Sequence, residues 1–336
     1  MLFMLFIEAD RQITHFGIRS ARFGPPVCRA DESVGGAAQA GIGGDAMVLS
    51  NEKRKVSVSP APPQVSIIVP TRNEEHNLPR LLRSIRSQVD VSFEILVVDQ
   101  ESDDATSGIA RDHGAIVISR PKPAFYSPPS QSRNVGAAAA VSPILLHIDA
   151  DMELPDAGFL YRALALIGED HQAAIIHESD VANGWWNRVK AAERDCYWDT
   201  PMECARIVTK KLFDEIGGYD ANISSGEDMY IHQLYSQRTR VAKAGDVWLK
   251  HHTGTIPLKR LLAKKFSYGK TMSDYLDRSG ESGGHSGTSW MRESLRAYAS
   301  HLNIARQKPL TFACIVPLRF MELIAMRLGA RSAARG

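Results

Sequence analysis

Several things are scarce in this 336-residue chain, and each scarcity excludes a class of protein. Its four cysteines, Cys28, Cys196, Cys204 and Cys314, have neither the density of a disulfide framework nor the spacing of a zinc site, so they read as core thiols in a reducing cytosol. Charge is nearly balanced at a formal +2, which excludes bulk nucleic-acid binding. Long apolar runs are also lacking. Arg319, Glu322 and Arg327 interrupt the C-terminal stretch Leu310 to Leu328, and charges at mid-helix are costly in hydrocarbon, so a core or interfacial helix is expected there rather than a span. Met1 to Ile7 is apolar but too short to cross a bilayer, with no leading positive region and no evident cleavage site, so neither a signal peptide nor an anchor is expected; Met47 is an alternative start.

What is present is a β/α alternation. Val65 to Pro70 is a β-branched run ending in a loop, and Leu78, Leu81, Leu82 and Ile85 follow at helical spacing with Asn77 as the expected cap and Pro79 in the first turn. Phe93 to Val98 repeats the plan before a helix expected from Thr106 to His113. Further runs cover 115–119 and 143–148. Such alternation needs right-handed crossovers and predicts a mainly parallel sheet covered by helices, with ligands bound beyond the carboxyl ends of the strands. With 44% hydrophobic residues the chain can bury a sizeable core.

Acidic residues cluster at those strand ends. Asp149-Ala-Asp151 follows the apolar run 144–148, and on an extended chain side chains two apart point the same way, so the two carboxylates are expected to share one hard divalent cation, Mg²⁺ or Mn²⁺, with positions left open for a substrate phosphate. Val247, Leu249 and His251 share a face of a further predicted strand. His251 is the first choice for a neutral imidazole ligand, with the adjacent His252 as the alternative.

Five segments in order, Val65-Ser-Ile-Ile-Val-Pro-Thr-Arg-Asn-Glu74, Val97-Val-Asp-Gln-Glu-Ser-Asp103, Ser132-Arg-Asn-Val-Gly136, His147-Ile-Asp-Ala-Asp151, and Phe213 to Asp220 followed by Gly226-Glu-Asp228, resemble the motifs of the family 2 glycosyltransferases. The resemblance covers about Val65 to Lys270. It implies an α/β GT-A (Rossmann-like) fold, a mainly parallel sheet flanked by helices, with a C-terminal helical extension. It also implies an inverting, hexosyltransferase-type enzyme that moves a sugar from a nucleotide-diphosphate sugar to an acceptor hydroxyl on a glycolipid, lipid-linked or polysaccharide acceptor. By the same resemblance Pro70, Thr71, Glu74, Asp99, Arg133 and Asp149 bind the nucleotide sugar; Asp149 and Asp151, with His251, bind Mn²⁺ or Mg²⁺; and Asp228 is the base, supported by Glu227. A UDP-sugar is expected over a GDP-sugar, although Gln100 stands where the family most often has a second acidic residue. The rival readings are a nucleotidyltransferase, disfavoured because no glycine-rich loop follows Pro70, and an inactive assembly partner, disfavoured because Asp149, Asp151 and Asp228 are all present.

The expected organisation is a disordered extension over 1–64, poor in periodic apolar residues, a catalytic domain over 65–255 with nucleotide half 65–151 and acceptor half 152–255, and a helical extension over 256–336. In that extension Leu258, Leu261, Leu262 and Phe266 form a stripe among Lys259, Arg260, Lys264 and Lys265. It reads either as a surface for an anionic membrane or as an ordinary docked helix. Trp185-Trp186 and Tyr197-Trp198 read as core aromatics or as platforms for sugar rings or apolar tails. The expected location is cytoplasmic, with a peripheral contact on the cytoplasmic face of the membrane, and without nucleic-acid partners.

Overall fold

The computed structural model describes residues 62–121, 129–198, 200, 203–223, 225–278 and 287–333, all within a compact unit that runs from Ser59 to Gly336. The expected disordered extension, the short apolar start, Met47 and Cys28 lie outside the described residues, apart from the last three positions of the extension.

In chain order the elements are β1 (Val65–Thr71), α1 (Leu78–Arg86), β2 (Phe93–Asp99), α2 (Thr106–Asp112), β3 (Ile116–Ser119), α3 (Pro129–Ala139), β4 (Ile144–His147), β5 (Met152–Glu153), α4 (Phe159–Leu164), β6 (Ala173–Ala182), α5 (Trp185–Asp195) and β7 (Ala205–Thr209). They continue with α6 (Lys210–Glu215), α7 (Glu227–Ser236), β8 (Val241–Gly254), α8 (Leu258–Arg278), α9 (Gly287–Ser300), α10 (Leu302–Gln307), α11 (Pro309–Ala313) and α12 (Ile315–Ala333).

The strands form one sheet in the order β3-β2-β1-β4-β7-β6-β8-β5. Its first four are parallel, β1 lying between β2 and β4, while β7 pairs antiparallel with both β4 and β6 and β8 runs parallel to β6. The expected mainly parallel character therefore holds for the first half, and the second half is mixed. Both faces are covered. Val65, Ile67 and Val69 pack with Leu78, Leu81, Leu82 and Ile85 of α1 on one side, while Ile68, Leu96 and Leu145 meet Ala137, Phe213 and Tyr235 on the other. Burial of each such side chain stabilises the fold by roughly 1.5–3 kcal/mol, which is why continuous apolar strands and a 3.6-residue stripe were sufficient to place these elements.

Register brings Thr71 opposite Asp99 at the carboxyl ends of β1 and β2, and β4 ends beside them. Strand direction predicts the ligand crevice at these ends. Asn77 is not the cap its position suggested: it makes no capping hydrogen bond to the helix, and its side chain instead donates to Glu74 Oε2 at 2.9 Å and accepts from Arg80 Nη2 at 3.0 Å.

The C-terminal helices form a third apolar cluster with α5. Leu261 of α8, Val189 and Cys196 at α5, and Ile315 and Leu318 of α12 are buried together, with Leu258 and Leu262 packed against them. The α8 stripe therefore faces protein, and of its two readings the docked helix is the one found. Trp186 and Tyr197 pack in the same cluster, Trp198 sits edge-on to His177 at 4.4 Å, and Trp185 is exposed.

Candidate active site

The nucleotide-side residues are built into the loops after β1 and β2. Thr71 and Asp99 are buried, and Asp99 accepts from Ser102 Oγ at 2.5 Å and from Ser107 Oγ at 2.7 Å, so the carboxylate stiffens its own loop. Thr71 Oγ1 lies 3.4 Å from Asp99 Oδ1. The backbone N–H of Glu74 donates to Thr106 Oγ1 at 2.8 Å, fixing the loop against α2. Burial raises the Glu74 carboxyl above its usual range against the hydrogen bond from Asn77, and the nearby charges of Asp151, Asp104 and Asp149 push the same way as burial. Gln100 turns away from the crevice and donates to Ser132 of α3 at 2.8 Å.

The segment Ser132 to Gly136 has a mechanical role. A Cβ on Gly136 would lie 2.5 Å from Ile68 Cγ2, so glycine lets α3 approach β1 closely. Asn134 donates to the carbonyl of Tyr219 at 2.8 Å and accepts from its N–H at 2.9 Å, which anchors the loop after α6. Arg133, expected at the nucleotide, is instead 2% exposed and lies beneath the crevice. Its Nη2 donates to Asp149 Oδ1 at 2.7 Å, its Nη1 to Asp228 Oδ1 at 2.8 Å, and the guanidinium lies over the Tyr219 ring at 5.4 Å. A side chain so enclosed has no face left for a nucleotide. It clamps two carboxylates that lie 79 residues apart in sequence.

Asp149 and Asp151 do not share a strand face. β4 stops at His147, and the carbonyl of Asp149 accepts from Met152 N–H at 3.1 Å, so the two acids sit in a turn and point apart. Asp149 turns inward, with Oδ2 3.5 Å from Arg206 Nη2 in addition to its bond to Arg133. Burial alone would raise its carboxyl, but Arg133 and Arg206 outweigh that and hold it at about 2. Oδ1 of Asp149 is thus bonded to Arg133 and Oδ2 faces Arg206, so in this structure the carboxylate is paired with arginine. Beside it His147, enclosed by Phe213 and Tyr219, is driven down to about 3 by burial and by Arg133 and Arg206, and is an uncharged filler.

Asp151 turns the other way, toward β8. His251 Nε2 lies 3.2 Å from Asp151 Oδ2, while Nδ1 faces Asp180 Oδ1 at 3.2 Å and Glu178 Oε2 at 3.3 Å. His252 is directed elsewhere, to Glu153 at 2.8 Å. Burial would lower the His251 value, but hydrogen bonding to Asp151, Asp180 and Glu178 raises it to about 11, so the ring is an imidazolium when only carboxylates surround it. A divalent cation replacing the Nε2 proton would meet one carboxylate and one imidazole, with Nδ1 still oriented by Glu178 and Asp180, the usual arrangement behind a ligating histidine. Among the described residues no three His, Cys, Asp or Glu side chains are grouped to hold a metal unaided. The donor set at Asp151 and His251 thus fits a cation that takes its remaining oxygens from a bound diphosphate.

Glu178, Asp180, Arg194 and Arg206 are functional neighbours that sequence reasoning missed. Arg194 of α5 pairs with Glu178 at 2.7 Å and with Asp180 at 3.0 Å, and Arg206 of β7 also pairs with Glu178. The one local signal was Glu178-x-Asp180 at the end of the buried run Ala173 to Ile176, the same acid-x-acid spacing as at 149 and 151.

The acceptor side closes the site. Gly226 takes φ +83° immediately before α7, a conformation that glycine adopts without strain, and this puts Glu227 and Asp228 in the first helical turn, where the dipole favours negative charge. The Glu227 carboxyl is raised to about 7, by burial first and then by the charge of Asp228. A cavity of about 280 Å³ is bordered by Asp149, Asp228, His251, Arg206, Tyr219 and Cys204, so the carboxylate expected as base and the histidine beside Asp151 face one space.

Comparison with known proteins bears on the family and the fold. The family model described as glycosyl transferase family 2 matches residues 66–223. The 4,4'-diaponeurosporenoate glycosyltransferase of Staphylococcus haemolyticus is 41% identical over 93 residues, 27% of this chain and 24% of that protein. An uncharacterized glycosyltransferase of Mycobacterium bovis is 34% identical over 122 residues, 36% of this chain and 52% of its own. The chain thus spans between a quarter and a half of the length of these relatives. A mannosyltransferase from Pyrobaculum calidifontis, solved in complex with GDP-Man and Mn²⁺, superposes with a TM-score of 0.54 at 18% identity over 81% of this chain and 87% of that one, a likeness of fold. On the matched motifs and their order, residues 66–223 form a glycosyl transferase family 2 region on a GT-A architecture.

Proposed function

We propose that this protein is an inverting glycosyltransferase that moves a sugar from a nucleotide-diphosphate donor, UDP-linked in preference to GDP-linked, to an acceptor hydroxyl on a glycan or lipid-linked acceptor in the cytoplasm. The observation that carries the reading is that Asp228 and His251, the partner of Asp151, border one cavity. Pro70, Thr71, Glu74 and Asp99 form the nucleotide side, with Asp99 acting through the shape of its loop. Asp151 and His251 would hold Mn²⁺ or Mg²⁺, which when bound offsets the charge that develops on the leaving diphosphate.

The remaining work falls to the protein's own side chains. Asp228 removes the acceptor proton, a step that contributes about 10²–10⁴-fold, and Arg133 fixes its direction from below. Attack from the face opposite the leaving group is a single displacement and inverts the anomeric carbon. Arg206 and Arg133 keep Asp149 ionised, so its carboxylate stays fixed as an ion pair in the floor of the site.

A thermal-shift panel of UDP, GDP, CDP and dTDP with and without Mn²⁺ tests the reading, on the natural chain and on Asp151→Ala. A ligand that binds only the folded state at 100 times its Kd adds about 2.7 kcal/mol of stability. UDP is expected to raise the Tm only with Mn²⁺, and Asp151→Ala to abolish that rise. A shift with GDP alone would move the donor to the guanine class. Stabilisation only by a triphosphate would replace the reading with nucleotidyl transfer, and no response to any nucleotide would leave the inactive-partner alternative.

A further inference from the structure

Helix α12 is amphipathic in the inverted sense. Two of its charged residues face the protein: Glu322 is fully buried and Arg319 nearly so, and both join Lys190 and Glu193 of α5 in an internal ion-paired network completed by the Tyr298 hydroxyl, which donates to Glu193 at 2.7 Å. Its outward stripe is apolar. Val316, Phe320, Ile324 and Leu328, spaced by four, are 42%, 61%, 44% and 51% exposed, and Leu310 in α11 just before it is 72% exposed. Soluble helices show the opposite order, with apolar residues in and charges out.

The segment Pro309 to Ala333 is long and apolar enough to cross a bilayer by length and composition alone. Its buried charges exclude that course. A span would carry Glu322 and Arg319 into hydrocarbon together with their partners on α5, a helix packed on β6 of the catalytic sheet. With the charges held inside, the helix can lie only along a surface, and its 19 residues give a ridge about 28 Å long.

The charges around the ridge indicate what that surface is. Arg327 and Arg331 are exposed, each three residues beyond Ile324 and Leu328 and so neighbours of them on the helix surface. Basic side chains beside an apolar ridge match a layer of anionic headgroups over acyl chains. A groove of about 490 Å³, lined by Asp180, Arg188, Ala191, Lys308, Pro309 and Leu310, lies directly before α12, and Lys308 there pairs with Asp195 at 3.0 Å.

We infer that the outer face of α11 and α12 docks flat on an anionic lipid bilayer, with Phe320 and Ile324 inserted among the acyl chains and Arg327 and Arg331 at the phosphates. This inference is independent of which sugar is transferred. It concerns a different helix from the α8 stripe, which is buried against protein.

The test is vesicle flotation of the full chain, with phosphatidylcholine vesicles and with vesicles in which a third of the lipid is phosphatidylglycerol. The natural chain is expected to float with the anionic vesicles, and F320S/I324S to lower the bound fraction at least about tenfold, since each side chain forfeits its transfer into hydrocarbon. R327E/R331E is expected to lose binding to the anionic vesicles and to show no gain with phosphatidylcholine. All three proteins should melt at the same temperature, because the altered side chains are exposed, so any folding failure in one variant leaves the other as the test. Failure of the natural chain to float with either vesicle overturns the inference. So does light scattering that shows a dimer which F320S/I324S converts to monomer, since a second copy would then cover the ridge.

Discussion

Replacing Arg133 by Met would remove the guanidinium that bonds both Asp149 and Asp228 while keeping a side chain of similar length in the pocket under Tyr219. The drop of the Asp149 carboxyl from 3.8 to about 2 corresponds to about 2.5 kcal/mol at about 1.4 kcal/mol per pH unit, shared between Arg133 and Arg206. Asp228 is 38% exposed, so solvent screens its half of the clamp and its contribution is smaller. Breaking a buried pair also leaves the partner charge uncompensated, and together these give a loss of about 3 kcal/mol, at the low end of the range for such pairs.

Urea unfolding of Arg133→Met against the natural chain at pH 7 measures this difference, and a pH series tests its origin. The folded-state value of Asp149 lies below its unfolded value, so its contribution is complete above about pH 4 and disappears as pH falls through about 2. The gap between the two proteins should therefore narrow on acidification. A gap below about 1 kcal/mol at pH 7, or one that is the same at pH 3, would refute the clamp as an electrostatic device.

Two other outcomes follow from named contacts. Because Glu227 is raised to about 7, kcat/KM should climb with pH through about 7 as Glu227 loses its proton, Glu227→Gln should remove that limb, and Asp228→Asn should lower the rate about 10²–10⁴-fold across the whole range; a flat profile between pH 6 and 8 would count against this role of Glu227. A Cβ at Gly269 would fall against the carbonyl oxygen of Met326 and one at Gly329 against that of Phe266, so Gly269→Ala or Gly329→Ala should lower stability by more than the roughly 1 kcal/mol that alanine gains over glycine in a helix, and unchanged unfolding curves would show that α8 and α12 do not cross so closely.

Where a residue's surroundings are set by its neighbours in sequence, the sequence was legible. Val65 to Val69 and the stripe Leu78, Leu81, Leu82 and Ile85 are buried as their periodicity requires, and the loops that follow β1 and β2 meet at the carboxyl ends of those strands. The ordered motifs were legible for a related reason, since each combines a backbone need with a chemical one, as Gly136 does beside Arg133. Reading failed where direction depended on a turn. Asp149-Ala-Asp151 was given the two-residue repeat of a strand, but the strand ends at His147 and the turn sends the acids to different partners.

The sequence by itself determined the β/α order, the strand-end crevice and the chemical types gathered there, because hydrophobic period and motif order are local properties of the chain. Only the tertiary structure decided which charges meet. Arg133 joins Asp149 to Asp228, His251 turns to Asp151 from 100 residues away, and Glu178 and Asp180 from β6 close around Arg194 and Arg206. It also decided that α12 turns Arg319 and Glu322 inward and exposes its apolar ridge. Spacing along a helix defines its faces but not which face meets protein, and that choice belongs to the partners α5 and α8 that pack against it.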